Sequence, residues 1–190
     1  MSQTNKKQVI LDTALQLFVR QGFYATSTAS IAKQAGVATG TLFHHFPSKD
    51  KLMSHLFLAI KQEFADAIQA NALPNESLKL SLQHIWYAAI DWAMENPLKQ
   101  EFFQQYSMSP SIATETRQQA MNSTLRLMGE LIQRGQTTGE LADFPLPLML
   151  ESCHGQFLST TRYFLDHPGK WEEEHHQQSS FAMLWNSMKA

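Results

Sequence analysis

IAKQAGVATGTLFHHFPSK, residues 31 to 49 of the chain, has the pattern of two short helices joined by a tight turn. Gly36 interrupts the first helical pattern, and glycine is the residue that adopts a positive φ angle at the least cost. In the second helix Leu42 and Phe46 are four residues apart, so we expect both to face a core. Pro47 disfavours the α conformation at Phe46 and should end the helix there.

The outward side of the second short helix carries small polar and imidazole side chains. The side chains that we expect to point away from the buried pair are those of Thr39, Thr41, His44 and His45. A helix of under three turns with an apolar underside and such a face is typical of the second helix of a helix-turn-helix, which lies in the major groove of DNA. Gly40 would let the backbone approach a base edge, where threonine side chains reach bases or phosphates. Adjacent histidines point about 100° apart on a helix, so the pair does not favour a shared metal ion.

This stretch, extended to Leu52, resembles the TetR (tetracycline repressor) family of bacterial transcriptional regulators. IAKQAGVATGTLFHHFPSKDKL matches the family pattern IA-x-x-AGV-x-x-GTLY-x-HF-x-SK-x-x-L almost throughout. The resemblance implies an all-α fold of about nine helices. The expected fold consists of an N-terminal three-helix helix-turn-helix head at residues 1–50 and a helical ligand-binding and dimerisation body at residues 51–190.

The resemblance also implies which residues contact DNA. Phosphate contacts are expected from Thr28, His45 and Lys49, and the groove is expected to be lined by Thr39, Gly40, Thr41, Phe43 and His44. From the residues alone, Ser27 or Thr28 is a plain N-cap or part of an anion site at the helix start. Phe43 replaces the usual tyrosine, and Ala29 occupies a position that is often polar or basic. We expect both departures to weaken operator binding.

Composition predicts a globular protein of the cytoplasm. The chain has 190 residues, of which 43% are hydrophobic and 17% charged. Its apolar runs are far shorter than the roughly 18 residues of a membrane span, and its N-terminus lacks the apolar segment of a signal peptide. The single cysteine, Cys153, excludes an intrachain disulfide and suits a reducing compartment, where we expect it to act as a small buried apolar residue.

Charge is distributed unevenly along the chain. The net charge of the chain is −2. Residues 1–55 contain six lysines and arginines and two acidic residues, whereas residues 56–190 contain nine lysines and arginines and fifteen acidic residues. A basic N-terminal segment joined to an acidic body favours polyanion binding at one end. Together with the helix-turn-helix pattern, this asymmetry supports DNA as the partner.

Apolar periodicity predicts helices through the rest of the chain. The predicted segments are 6–21, 49–70, 77–95, 97 to about 109, 114–135, 146–166 and 170–188, with a break at 73–76 and turns at 135–147. The last two segments carry apolar residues on more than one side, which favours an isologous four-helix dimer interface. The resemblance likewise implies a homodimer formed through the last two helices.

Aromatic and methionine side chains in the body have two interpretations. They either fill the core or line a pocket for a small, largely apolar molecule, and the resemblance favours the pocket. The candidate ligand-binding residues are Trp86, Tyr87, Ile90, Phe103, Tyr106, Met121, Leu125, Met128, His154 and Phe157. The resemblance does not extend to the identity of the ligand.

Together with what the resemblance implies, these patterns predict a ligand-responsive repressor that binds a pseudo-palindromic DNA operator as a dimer, without a cofactor or a metal. No nucleotide-binding, metalloprotease or nucleophile-elbow motif occurs in the sequence, which argues against an enzyme. One alternative is a DNA-binding regulator without a small-molecule inducer, controlled by a protein partner. Another is an enzyme or transport-associated binding protein in which the N-terminal motif is incidental.

Overall fold

The computed structural model describes residues 3–71, 76–107 and 109–190, and of residues 3, 4 and 121–124 it describes the main chain alone. Over these residues the chain forms ten α-helices and one 3-10 helix, Lys170–Glu172, and an isolated antiparallel bridge joins Leu141 to Lys189. The α-helices are α1 (Gln3–Gln21), α2 (Thr28–Gln34), α3 (Thr39–His45), α4 (Lys49–Ala70), α5 (Leu78–Glu95), α6 (Pro97–Tyr106), α7 (Thr114–Thr124), α8 (Arg126–Thr138), α9 (Leu146–Asp166) and α10 (Glu174–Met188). The predicted all-α fold is confirmed.

The chain forms two compact units. The first consists of Met1–Lys61 and Leu98–Ala120, and the second of Gln62–Pro97 and Met121–Ala190. The first unit therefore includes α4 up to Lys61, α6 from Leu98 and α7 up to Ala120, in addition to the helices that the sequence assigns to a head at residues 1–50. The boundary at residue 50 stays a prediction.

The core of the first unit forms around the last turns of α1. Phe18 is fully buried and its ring centroid lies 5.4 Å from that of Phe23 in the following loop. Gly22 ends α1 with a φ of +82°, the left-handed conformation that ends many helices and that glycine adopts without strain. On α4, Phe57 lies 6.4 Å and 6.1 Å, centroid to centroid, from Phe102 and Phe103 of α6.

The second unit packs α5 against α8, α9 and α10. The indole Nε1 of Trp86 on α5 donates a hydrogen bond to Ser180 Oγ on α10 at 3.0 Å, so the polar edge of this buried ring has a partner. Cys153 is buried, and burial raises the pKa of its thiol to about 11. The expected role of Cys153 as a small buried residue is confirmed, because a thiol with this pKa is protonated at neutral pH.

Three helix predictions need correction. The predicted helix 114–135 is two helices, because the backbone leaves the helical conformation at Leu125 with φ −96° and ψ 4°. The preceding Asn, Ser and Thr have low helix propensity, which the apolar stripe concealed. Helix α8 then continues to Thr138 and ends at Gly139, whose φ is +75°, so the predicted turn at 135–147 begins later.

The other corrections concern the two ends of the chain. Helix α10 begins at Glu174 instead of residue 170, because a 3-10 turn and the extended residue Glu173 precede it. At the other end, α1 begins by Gln3, ahead of the predicted residue 6. Of the predicted break at 73–76, residues 72–75 lie outside the described residues. The helices of the described residues are each too short or too polar to cross a membrane.

Candidate nucleic-acid interface

Helix α2 begins at a side-chain cap. Ser27 has an extended backbone, and its Oγ accepts a hydrogen bond from the Ser30 amide at 3.0 Å, while Ser30 Oγ donates to the Ser27 carbonyl at 2.7 Å. The sequence left the cap open between two residues, and the structure assigns it to Ser27. Thr28 is therefore the first residue of α2, and its half-buried side chain does not serve as the cap.

The turn between α2 and α3 is fixed by backbone hydrogen bonds. Gly36 adopts a φ of +66°, and the Val37 amide donates to the Ala32 carbonyl at 3.0 Å. Leu42 and Phe46 are fully buried, as the four-residue spacing predicts. Burial of this underside fixes the rotation of α3, so the opposite face points to solvent.

The solvent face of α3 carries most of the predicted DNA-reading side chains. The exposed residues are Thr39, Gly40, Phe43 and His44, whereas Thr41 and His45 are half-buried. Phe43 is 44% exposed, which is high for a phenylalanine without a partner surface. A Cβ added to Gly40 would meet no atom within 4 Å, so packing within this chain does not require glycine there. An exposed face of small polar, imidazole and aromatic groups can contact base edges and phosphates.

Lys49, the first residue of α4, makes contacts that the sequence did not predict. Its Nζ donates to the carbonyl oxygens of Phe23 at 2.9 Å and of Thr26 at 3.0 Å. The same Nζ lies 4.3 Å from the centroid of the Phe23 ring, a cation–π distance. These partners are 26 and 23 residues away along the chain, so no local sequence signal could have identified them.

Helix α6 is hydrogen-bonded to the C-terminal end of α1. The Tyr106 hydroxyl donates to the Phe18 carbonyl at 2.8 Å, and Gln105 Nε2 donates to the Val19 carbonyl at 3.2 Å. Burial raises the pKa of the Tyr106 hydroxyl above its ordinary value. Tyr106 was predicted to contact a ligand, and the structure gives its hydroxyl a main-chain partner inside the first unit.

The remaining candidate ligand residues are divided between the two units. Phe103 lies with Tyr106 in the first unit, and the second unit contains Trp86, Tyr87, Ile90, Leu125, Met128, His154 and Phe157. Within the second unit Trp86 and Phe157 are brought together, with ring centroids 6.5 Å apart. The side chain of Met121 lies outside the described residues. A pocket formed by the whole set stays a prediction.

Surface grooves of the second unit lie on α8, α9 and α10. One, of about 260 Å³, is lined by apolar residues of α8 and α9 and by charged groups: Leu125, Arg126, Gly129, Glu130, Gln133, Leu146 and Leu150. Another, of about 360 Å³, lies between α9 and α10 and is lined by Ser159, Thr160, Tyr163, Phe164, His176, Ser179, Ser180 and Met183. In the α9–α10 groove Tyr163 is 41% and Met183 62% exposed, so this groove presents large apolar side chains to solvent.

Sequence and structure comparisons identify relatives of the whole chain. The profile of the family described as "Bacterial regulatory proteins, tetR family" matches residues 10–56, which include α2 and α3. A solved structure from Shewanella sp. PV-4, described as a tetR family transcription regulator, is 58% identical and covers 97% of this chain and 98% of its own, with a TM-score of 0.95. The chain belongs to the TetR family. The similarity of this TetR protein to a family member therefore covers nearly all of its sequence and is not confined to residues 31–52.

Other relatives are more distant or match in part. The nucleoid occlusion factor SlmA of Haemophilus ducreyi is 32% identical over 97 residues, 50% of this chain and 48% of the relative. The chain thus spans about half the length of the curated relatives it matches. The transcriptional regulator FadR of Bacillus subtilis, solved in complex with stearoyl-CoA, has a TM-score of 0.77 at 19% identity, covering 93% of this chain and 96% of its own. At that identity the likeness concerns the fold alone.

Proposed function

We propose that this TetR protein is a DNA-binding transcriptional repressor whose dimer is released from its operator by a small, largely apolar molecule. The DNA-binding part of the proposal rests on the structure of the helix pair α2 and α3. Its apolar underside is buried, and its solvent face displays threonine, histidine and phenylalanine side chains on a helix that fits the major groove. The basic balance of residues 1–55 adds attraction to a polyanion.

Within this proposal the contacts divide into two kinds. The base-reading residues are Thr39, Gly40, Thr41 and His44, and Phe43 lines the groove beside them. The phosphate contacts are Thr28, His45 and Lys49. A base-reading residue changes the preference between sequences, and a phosphate contact changes affinity for all sequences and its dependence on salt.

A test of this division needs a DNA that the protein itself selects. Purified protein would be used to enrich a duplex from a random-sequence pool, and affinities for this selected duplex and for a scrambled duplex would be measured. We expect His44→Ala to weaken binding to the selected duplex by about 1–3 kcal/mol and to relax the sequence preference. His45→Ala should weaken binding to both duplexes alike. If both variants bind both duplexes as the parent does, the proposed DNA face is wrong.

The dimer that we propose uses α9 and α10. Supporting observations are the exposed side chains of Leu148, Tyr163 and Met183 and the groove between the two helices. Burial of such side chains against a second copy would contribute about 25 cal/mol for each Å² of apolar surface removed from water. We expect Met183→Glu to shift the protein from dimer to monomer in light scattering after gel filtration, while Glu151→Gln, an exposed change on α9, should not. A monomeric parent would contradict this interface.

The effector part of the proposal rests on the aromatic content of the second unit. Trp86, Trp92, Phe64 and Phe157 form one ring cluster in which Phe64 lies 5.0 Å from Trp92 and 5.2 Å from Phe157. A fold shared with FadR, whose structure contains stearoyl-CoA, is compatible with a ligand between such helices. A hundredfold loss of operator affinity on ligand binding requires about 2.7 kcal/mol of coupling. The test is binding to the selected duplex with and without a library of apolar molecules.

A second candidate is a DNA-binding protein without a small-molecule inducer, controlled by a protein partner. It is favoured by the match to SlmA, which is described as a nucleoid occlusion factor, over half of this chain. It also agrees with Trp86, Ile90 and Phe157 being buried against neighbouring side chains. Unchanged affinity for the selected duplex with every molecule tested, together with capture of a protein that alters this affinity, would favour the second candidate.

A further inference from the structure

We infer that Lys49 is a positioning residue that holds the loop between α1 and α2 against the start of α4, and so fixes the start of α2 for DNA binding. This inference rests on the DNA-binding part of the proposed function. It gives Lys49 a role in the protein without DNA, in addition to the phosphate contact proposed above.

The geometry of the ammonium group carries the inference. Two of its three N–H donors are directed to the carbonyl oxygens of Phe23 and Thr26, at 2.9 Å and 3.0 Å. Hydrogen bonds from a charged donor to neutral acceptors are stronger than those between neutral groups. The ring of Phe23, itself buried, lies under the same nitrogen at 4.3 Å. The charge is thus held at one point by three groups of the same loop.

The loop that Lys49 holds leads directly into α2. Thr26 is 1% exposed, its hydroxyl donates to the Gly22 carbonyl at 2.8 Å, and its amide donates to the Phe23 carbonyl at 3.3 Å. The next residue, Ser27, is the N-cap of α2. A shift of the Thr26 carbonyl would therefore move the cap and Thr28, which is one of the proposed phosphate contacts.

A phosphate contact alone predicts a different behaviour. A lysine that meets only phosphate is solvated in the free protein, so its removal leaves the free loop unchanged and lowers the salt dependence of DNA binding. When a lysine bonded to two carbonyl oxygens of the loop is replaced, each oxygen loses its charged donor, and the Phe23 oxygen keeps the weaker bond from the Thr26 amide. The two roles therefore predict different effects of replacing Lys49 on the loop of the protein without DNA.

The experiment compares Lys49→Met with Lys51→Met, an exposed lysine on the same helix, in the full-length protein. Amide hydrogen exchange of residues 22–30 is measured without DNA. Loss of a hydrogen bond from a charged donor should accelerate exchange there about tenfold or more in Lys49→Met and leave Lys51→Met like the parent. Binding to the selected duplex is then followed against salt. We expect Lys49→Met to bind at least about tenfold more weakly, with a salt slope lower than that of Lys51→Met by about one unit for each Lys49 bound to DNA.

The outcomes separate the two roles. Unchanged exchange in Lys49→Met overturns the inference, whatever happens to DNA binding. Faster exchange with an equal salt slope supports it, and faster exchange with a slope lower by about one unit for each DNA-bound lysine supports it together with a phosphate contact. If the parent protein enriches no duplex, the proposed function fails, while the exchange measurement still decides the role of Lys49.

A measurement on the unmodified protein keeps the inference testable if Lys49→Met does not fold. The ammonium protons of a lysine bonded to two carbonyl oxygens exchange with water more slowly than those of a solvated lysine. Nitrogen-15 spectra of the side-chain Nζ groups should therefore show a protected signal for Lys49 and none for Lys51. Equal exchange of the two ammonium groups would overturn the inference.

Discussion

Replacing Lys61 with methionine should stabilise the protein at neutral pH. Lys61 lies on α4 with 4% of its surface exposed, and its Nζ is 4.2 Å from the ring centroid of Phe103 and 5.8 Å from that of Phe57. Burial lowers the pKa of its ammonium group from 10.5 to about 8. The folded state therefore disfavours the charged form, which the unfolded chain accommodates in water.

The pKa shift sets the magnitude and the pH range. One pKa unit corresponds to about 1.4 kcal/mol, so the shift is worth roughly 3 kcal/mol as an upper limit. Below pH 8 the Lys61 side chain is protonated in both the folded and the unfolded state, so the destabilisation caused by burying its charge is fully present. Between pH 8 and 10.5 the unfolded chain binds the proton and the folded protein does not, so the cost declines as the pH rises. Cation–π attraction, about 0.5–2 kcal/mol, is lost in Lys61→Met but partly replaced by sulfur–aromatic contact.

The assay is urea unfolding of the parent and Lys61→Met at equal protein concentration, at several pH values between 7 and 10.5. We expect Lys61→Met to raise the free energy of unfolding by about 1–2.5 kcal/mol at pH 7, with the difference declining towards zero at the alkaline end. Lys51→Met, which removes an exposed charge from the same helix, should show no such dependence on pH. A destabilised Lys61→Met, or a difference that does not change with pH, would refute the reasoning.

Two further predictions test the packing, one in each unit. In the second unit, Gly135→Ala would place a Cβ 2.6 Å from side-chain atoms of Leu141 and Leu78, so we expect a loss of about 1–3 kcal/mol in urea unfolding. Gly129→Ala on the same helix meets only one side-chain atom, at 4.0 Å, and should be neutral or stabilising; equal effects of the two changes would contradict the packing of α8. In the first unit, Tyr106→Phe removes the hydrogen bond to the carbonyl in the last turn of α1 and should cost about 1–3 kcal/mol. Its melting temperature would be measured beside that of the parent, and an unchanged value would contradict a buried bond.

Local pattern predicted the elements that depend on neighbouring residues. The spacing of Leu42 and Phe46 predicted the buried underside of α3, and the position of Gly36 predicted a positive φ angle in the turn between α2 and α3. Both features follow from backbone geometry over a few residues, so they can be deduced without knowledge of the tertiary fold. The break at Leu125 was missed because an apolar stripe continued through it, and periodicity does not register a local change in backbone angles.

Contacts between distant segments could not be predicted in the same way. Nothing in the sequence indicates that Lys49 bonds to Phe23 and Thr26, or that Tyr106 donates to the carbonyl of Phe18. The resemblance supplied a role for Lys49 at the DNA but not its role in the free protein. The burial of Lys61 was not predicted either. Lysine is a charged residue, and the next two residues on α4 are polar, so the apolar periodicity does not mark this position as buried.

Enrichment of a DNA duplex from a random-sequence pool tests the central claim most directly. If the protein binds DNA as a dimer through the solvent face of α3 in each protomer, it should enrich a pseudo-palindromic duplex. The half-sites of this duplex should be separated by about one helical turn or a multiple of it. The protein should also bind this duplex at least about a thousandfold more tightly than a scrambled one at physiological salt. Enrichment of no common sequence, with equal affinity for both duplexes, would contradict the claim.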